Sequence, residues 1–285
     1  MALPTKAKDN ARSLDPTKLR TTTGYMPIEH HGLIGNMHTA ALVATDGGLD
    51  FMCWPNFDSP SVFCRMLDRE KGGCFTIAPA NEQLLTTKQQ YLPSSNILQT
   101  TFMSEEGALR LTDLFPRPKQ MTPLEALEGE HRIENVVASD GQAGPLKKWL
   151  VRRIECIRGQ VDVDVNCLPA FNYARDHHSV SIFHKHGEHD GEPEHRAVFR
   201  SKQLSLELLV TVDGTEGDDT PEVLFTEAEG SGLGSACVAR VHLQEGQQVS
   251  FVLREEADTT HVTTALLDRL QQQTRVRTLT LINFT

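Results

Sequence analysis

The clearest signal along the chain is apolar residues at every second position. Val161, Val163, Val165 and Cys167 alternate with Asp162, Asp164 and Asn166, and Leu204, Leu206, Leu208, Val210 and Val212 repeat the pattern. Side chains on a strand alternate between faces, so period two with one wet face predicts antiparallel, half-buried strands. Apolar runs over 39–45 and 49–54 flank Asp46-Gly47-Gly48, which predicts a hairpin. A second hairpin is predicted from 96–103 and 108–115 around Glu105-Glu106-Gly107, and a third from 236–243 and 248–255 around Glu245-Gly246. Residues 75–78 read as a short strand, and strands over 149–157 and 161–168 flank Arg158-Gly159-Gln160. Many strands joined by tight turns, with no long helices between them, predict an all-β fold: a large antiparallel β-sandwich of two sheets.

The end of the chain departs from this rule. Val262, Ala265, Leu266 and Leu270 fall at helical spacing and predict a short C-terminal linker helix over 259–274. Residues 1–24 are polar and aperiodic and read as a disordered lead-in. The domain is expected over 25–258, with an atypical tail at 275–285. Residues 119–134, 140–145 and 214–221 read as loops.

Composition narrows the class. A 285-residue chain with 39% hydrophobic and 23% charged residues can bury a core. A net charge of −10 argues against nucleic acid or an anionic membrane as partner. No apolar run is long enough for a transmembrane helix, and the polar N-terminus lacks a secretory core. Six cysteines without a C-x-x-C pair are then expected to be reduced, in a cytoplasmic protein without structural zinc.

One ordered series of motifs is more specific. Ile28-Glu29-His30-His31-Gly32-Leu33-Ile34-Gly35-Asn36 leads into Thr39-Ala40-Ala41-Leu42-Val43. Asp46-Gly47-Gly48-Leu49-Asp50 follows, and then Trp54-Pro55-Asn56-Phe57-Asp58-Ser59-Pro60-Ser61-Val62-Phe63. Later come Arg153-Ile154-Glu155-Cys156-Ile157-Arg158-Gly159 and Pro169-Ala170-Phe171-Asn172-Tyr173-Ala174-Arg175. This series, from about Tyr25 to Gln273, resembles the N-terminal domain of trehalase-like and glucoamylase-like proteins of glycoside hydrolase family 15. The resemblance implies a β-sandwich joined by a helical linker to a catalytic (α/α)₆ barrel. That barrel carries a general acid and a general base that invert an α-glucosidic bond. Twelve helices of ordinary length need well over ~140 residues, whereas 27 residues follow Asp258. The expectation is therefore a module truncated before its barrel, with no catalytic glutamate of its own and no cofactor. Its expected partner is that barrel, with an α-glucoside as possible ligand. A docking face left uncovered would favour self-association. The alternative is a stand-alone carbohydrate- or protein-binding sandwich.

Individual residues refine the picture. Trp54, Asn56, Asp58 and Ser59 sit in a loop after a strand. An apolar ring with directional hydrogen-bonding groups suits a sugar subsite. The competing reading, which weighs more, is a structural or domain-docking turn, with Pro60 opening a short helix over 61–67. His30, His31 and His38 read as histidines that hold a tight turn. His177, His178, His184, His186, His189 and His195 fall within 19 positions. His184 and His186 would share one strand face, as a transition metal requires, but the charged, glycine-containing segment around them describes a solvated hairpin tip, so no metal site is assigned. Glu105-Glu106 and Glu255-Glu256 are neighbours on strands or turns, so neither pair can flank one bond. Gly230–Gly234 opens no helix and does not read as a phosphate loop.

Overall fold

The structure is a computed structural model that describes Arg20 and residues 24–81, 86–117, 147–184, 195–212, 220–230 and 232–275. The loops expected over 119–134 and 140–145, most of 214–221, residues His186 and His189, and the tail after Arg275 lie outside the described residues.

Among the described residues the fold is all-β and antiparallel. After a 3₁₀ turn at Ile28–His30 come β1 (His31–Gly35), β2 (Ala40–Ala44), β3 (Gly48–Cys53), β4 (Ser61–Cys64) and β5 (Cys74–Pro79). They are followed by β6 (Thr86–Tyr91), β7 (Leu98–Met103), β8 (Gly107–Leu114) and the long β9 (Leu150–Leu168). A tight turn at Phe171–Ala174 precedes β10 (His178–His184), β11 (His195–Ser201) and β12 (Ser205–Val212). The chain continues through β13 (Thr226–Ala228), β14 (Ala236–Gln244), β15 (Gln248–Glu255) and a helix, α1 (Thr264–Arg275).

Every strand joins one hydrogen-bonded network, and β9 is its hinge. The first half of β9 pairs with β8 and β15, and its second half with β5 and β14. The segments 149–157 and 161–168 are therefore one strand of 19 residues. Gly159, at φ +68°, sits at the change of partner, and a Cβ there would lie 2.2 Å from the Glu106 carbonyl oxygen. The core-facing residues are Leu150, Ile154 and Cys156 before this point, and Val161, Val163, Val165 and Cys167 after it. The parity flips from even to odd. An irregularity of one residue does this, and it keeps the same face turned to the core on both sides of the bend.

The predicted third hairpin is corrected by the same geometry. β14 and β15 do not pair with each other. Both run antiparallel to β9 along the same side, one against each half. The turn at Glu245-Gly246 is a bend in one long partner strand. It clasps the β9 bend through Glu245 N to Gly159 O, Gly246 N to Cys156 O, and Cys156 N to Gln247 O. The helix expected over 61–67 is also absent. Ser61–Cys64 forms β4 instead, because Val62 and Phe63 bury fully against β3.

The two halves fold face to face. One core takes Leu49, Phe63 and Phe75 from the first half, and Leu111, Leu208 and Phe251 from the second. A second cluster lies on the outer face of β8, β9, β12 and β15, where Trp149, Val151, Leu209 and Val252 meet Leu267 and Leu270 of α1. The helix is thus docked on the sheet. It starts at Thr264, later than the pattern predicted, because the Thr263 hydroxyl accepts the Leu266 N–H at 3.2 Å and caps it. Arg153 holds it through Asp268 at 2.6 Å and Gln271 at 3.0 Å.

Arg152 ties the halves together from inside. It lies opposite Asp113 across β8 and β9, and both are fully buried. Its Nε donates to Asp113 at 2.7 Å. Its other nitrogens cross to the facing half and donate to the carbonyls of Phe75 and, at 2.8 Å, Gly47. Burial pushes the Asp113 carboxyl up, and the Arg152 charge and hydrogen bond oppose that push. Removing one partner leaves an uncompensated buried charge. Arg152→Met is expected to destabilise the protein by about 3–5 kcal/mol in urea denaturation. The double variant Arg152→Met, Asp113→Leu should recover a large part of that loss. A single-variant cost below about 1 kcal/mol would show that the halves do not depend on this bridge.

Candidate functional site

The first part of the motif series, residues 28–63, builds one rim from β1 to β4. Gly35 closes β1, and the Asn36 carboxamide oxygen accepts the N–H groups of His38 at 3.1 Å and Thr39 at 3.0 Å. This Asx turn holds Met37 at φ +72°, with its side chain 76% exposed. Thr39 Oγ1 donates to the Cys53 carbonyl at 2.5 Å, and Phe57 N donates to the His38 carbonyl at 2.7 Å. The turn and the 54–60 loop are therefore stitched edge to edge. Within the loop, Asn56 N donates to Ser59 Oγ at 3.2 Å and Ser59 N to Asn56 O at 3.1 Å. The Trp54–Pro55 bond is cis.

The four residues singled out by sequence part company here. Trp54 is 2% exposed and belongs to the main core, and its indole N–H donates to Glu255 of β15 at 3.2 Å. Both ring faces are taken up by the protein. The aromatic ring that the loop offers to solvent is Phe57, 59% exposed. Asn56 and Ser59 are half-buried in the turn they form, and Asp58 is exposed.

Behind the rim lies a charge cluster that the alternation pattern could not reveal. Asp50 on β3 is buried, though its neighbours in sequence are apolar. His31 Nε2 lies 3.2 Å from its carboxylate, and Arg20 reaches it with two contacts of 2.9 Å while also binding Asp46 at 2.6 Å. Arg65 completes the set at 4.0 Å. Burial pushes the Asp50 carboxyl up, but the His31 hydrogen bond, the Arg20 contacts and the Arg65 charge outweigh it and hold it at about 2. Burial likewise pulls His31 down, while the Asp50 hydrogen bond and charge, with backbone carbonyls, leave it raised. His31 Nδ1 lies 3.1 Å from Pro27 O, so this histidine does hold the entry turn. Arg20 falls in the stretch read as a lead-in, and its side chain is anchored. Its signal was missed because a lone arginine in a polar stretch carries no periodicity.

Two acids on β9 are paired with bases. Asp162 meets His242 at 2.7 Å and Asp164 meets Arg240 at 2.7 Å across β9 and β14. Both line or adjoin a cleft of about 490 Å³ that also includes Glu105 and Glu106. Glu255 and Glu256 point to opposite sides, to Trp54 and to Arg200. Two carboxyls with raised proton affinity, Asp113 and Glu207, are buried against Arg152 and Arg254. Among the described residues no cluster of three or more His, Cys, Asp or Glu groups could hold a metal. The six cysteines carry free thiols, with Cys237 pushed up to about 12 by burial. No helix among the described residues is long and apolar enough to cross a membrane.

Fold and rim together define an antiparallel β domain whose motifs over residues 28–63 gather at one edge. Residues 21–126 match the family model for the trehalase-like N-terminal domain. Relatives of the chain include a trehalase of Thermoplasma volcanium, 34% identical over 158 residues, which is 55% of this chain and 22% of that protein. A trehalase of Mycobacterium tuberculosis is 28% identical over 233 residues, 80% of this chain and 30% of that protein. A trehalase of Mycolicibacterium smegmatis is 28% identical over 201 residues, 67% and 28% respectively. The chain thus spans less than a third of the length of these relatives.

The ion pair behind the rim sets a pH dependence. His31 is raised in the folded state, so its contribution is complete below the unfolded value of about 6.5 and is lost as pH rises through the folded value. Asp50 is depressed, so its contribution is present above about 4 and is lost as pH falls toward its folded value. His31→Asn should therefore cost most stability near pH 5–6, and the deficit should shrink steadily toward pH 9 in thermal melts. A deficit that stays constant over that range would mean that the imidazolium does not contribute.

Proposed function

We propose that this chain is the N-terminal β-sandwich module of a trehalase-type α-glucosidase of glycoside hydrolase family 15, and that the module breaks no bond itself. The observation that carries the reading is the family match over 21–126, joined by trehalases as relatives over 158 and 233 residues of the chain. The arrangement of the acids supports the second half of the proposal. A glycosidase needs two accessible carboxyls either side of one bond, one of them with raised proton affinity. Asp113 and Glu207 have the raised affinity but no access, and Asp162 and Asp164 are spent on cross-strand partners.

In this reading the module packs against the catalytic (α/α)₆ domain, which binds the α-glucoside. The rim of Met37, Asn56, Phe57 and Asp58 fits a domain-docking edge better than a sugar subsite. Its exposed apolar groups are large and sit on a rigid, hydrogen-bonded base, and such surface favours a protein partner. Six free thiols fit a reducing compartment, so we place the protein in the cytoplasm.

The purified chain is expected to release no glucose from trehalose, maltose or isomaltose above a protein-free blank, measured by a coupled glucose assay. Release that co-purifies with the chain would overturn the non-catalytic reading. An antibody raised against 25–258 should detect, in source-cell lysate, a product as long as the trehalase relatives. A product of this chain's own length alone, with no catalytic domain co-purifying, would overturn the module reading in favour of a stand-alone binding protein.

A further inference from the structure

The histidine-rich segment is not absorbed by any of this. The structure divides it. His178 is buried against Phe171 and Phe199, with its Nε2 3.0 Å from the Ser235 carbonyl. His184 closes β10. It meets His195, its register partner across β10 and β11. The two Nδ1 atoms lie 3.2 Å apart, with the rings at 63°.

That spacing has a chemical meaning. Two neutral imidazoles can hold it only if one Nδ1 donates a proton to the other, which accepts. A tetrahedral ion bound to both nitrogens at about 2.05 Å would set them about 3.3 Å apart. An ion can therefore replace the shared proton at the same nitrogen spacing, each ring turning by about 35° to aim its lone pair at the ion. The ladder has already done the positioning, since directly opposed residues on antiparallel strands hold their Cβ atoms about 5 Å apart. Among the described residues of the ladder, charge does not oppose the ion either. Arg196, one position along, pairs with Phe183 and stacks on its ring at 4.8 Å. Strand alternation puts that pair on the opposite face. The imidazoles lie on the face that carries Ile182 and Ala197 into the core. They are at its wet end, where His184 is exposed.

We propose that His184 and His195 form a two-imidazole chelate for a divalent late transition metal of the Zn²⁺, Ni²⁺ and Cu²⁺ class, with water filling the remaining positions. Imidazole suits these ions, whereas Ca²⁺ and Mg²⁺ take oxygen ligands. The bound ion clamps the β10–β11 ladder at its His184–His195 end, next to the connecting segment, at the edge of the sheet.

The test uses the full chain without a histidine tag. Titration calorimetry with ZnCl₂ and NiCl₂ should show one site per chain, and saturating metal should raise the Tm, while MgCl₂ should do neither. His184→Gln and His195→Gln should each weaken binding about tenfold or more, since each breaks the chelate. His242→Gln, which removes an exposed histidine elsewhere, should leave it unchanged. Metal-free melts of all three variants should match the parent, which establishes that they fold. Frozen Cu²⁺ samples should show hyperfine coupling to two imidazole nitrogens in the parent and one in either chelate variant. Absence of binding, or binding that persists undiminished in both chelate variants, would overturn the proposal.

Discussion

A strand that belongs to two half-sheets creates a specific problem, and a buried guanidinium solves it. β9 must bend to serve both halves, and a bend alone leaves the angle between them free. Arg152 fixes it. It is held by Asp113 on its own half, and it reaches two backbone carbonyls on the facing half. A methionine or leucine at that place would bury equally well, but it would leave the Phe75 and Gly47 carbonyls without this donor. The Gly47 carbonyl keeps the Ile77 N–H at 3.1 Å, so what is lost is about 1 kcal/mol per hydrogen bond. Arg152 also lies over the Phe75 ring at 4.7 Å, so the same group packs as well as bonds. The cross-sheet contact from Trp54 to Glu255 repeats the device at another point of the interface.

The rim follows from this frame. β3 is held by β2, β4 and β5, and its Gly47 carbonyl is one of the two that Arg152 grips. A Cβ at Gly47 would come within 2.0 Å of the Ile77 carbonyl oxygen, and its φ is +82°, so only glycine brings β3 this close to β5. With β3 fixed, the Asp50 carboxylate points into a closed space and collects His31, Arg20 and Arg65. The turn at Asn36 and the loop at Trp54–Pro60 then project from a base that cannot shift. A rigid base lowers the entropic cost of presenting Met37 and Phe57 to a partner.

The sequence made the strands legible where one face is wet. Val163, Val165 and Cys167 against Asp162 and Asp164 is a pattern that only a half-buried strand produces. It could not show connectivity. Glu245-Gly246 has the composition of a hairpin turn, and the chain does turn there, but what surrounds it decides whether the turn reverses the strand. Here the β9 bend takes its N–H and C=O groups. The 61–67 segment misled for a related reason: a proline after a capping serine is a good helix start, and burial of Val62 and Phe63 outweighed it. Tertiary packing overrides local propensity most readily in short elements. The motif residues at 54–59 fall together in one loop, yet the roles within it were invisible. Trp54 and Phe57 are both aromatic, and only the fold says which one is core and which is surface. Asp50 read as one more polar position, since its partners come from elsewhere in the chain.

The buried acids of this domain serve its frame. A catalytic carboxyl is kept reactive by an environment that leaves its charge partly uncompensated and reachable. In this domain the buried carboxylates have cationic partners on a facing strand or an adjoining element: Asp113 with Arg152, Glu207 with Arg254, and Asp50 with Arg20 and His31. The exposed pairs on β14 follow the same rule at lower energy, since screening by water leaves each worth little. Pairing of this kind fixes geometry and suppresses reactivity together. The chemistry that remains open is of another sort. It lies at the apolar rim, which suits a protein surface, and at the two imidazoles that end the β10–β11 ladder.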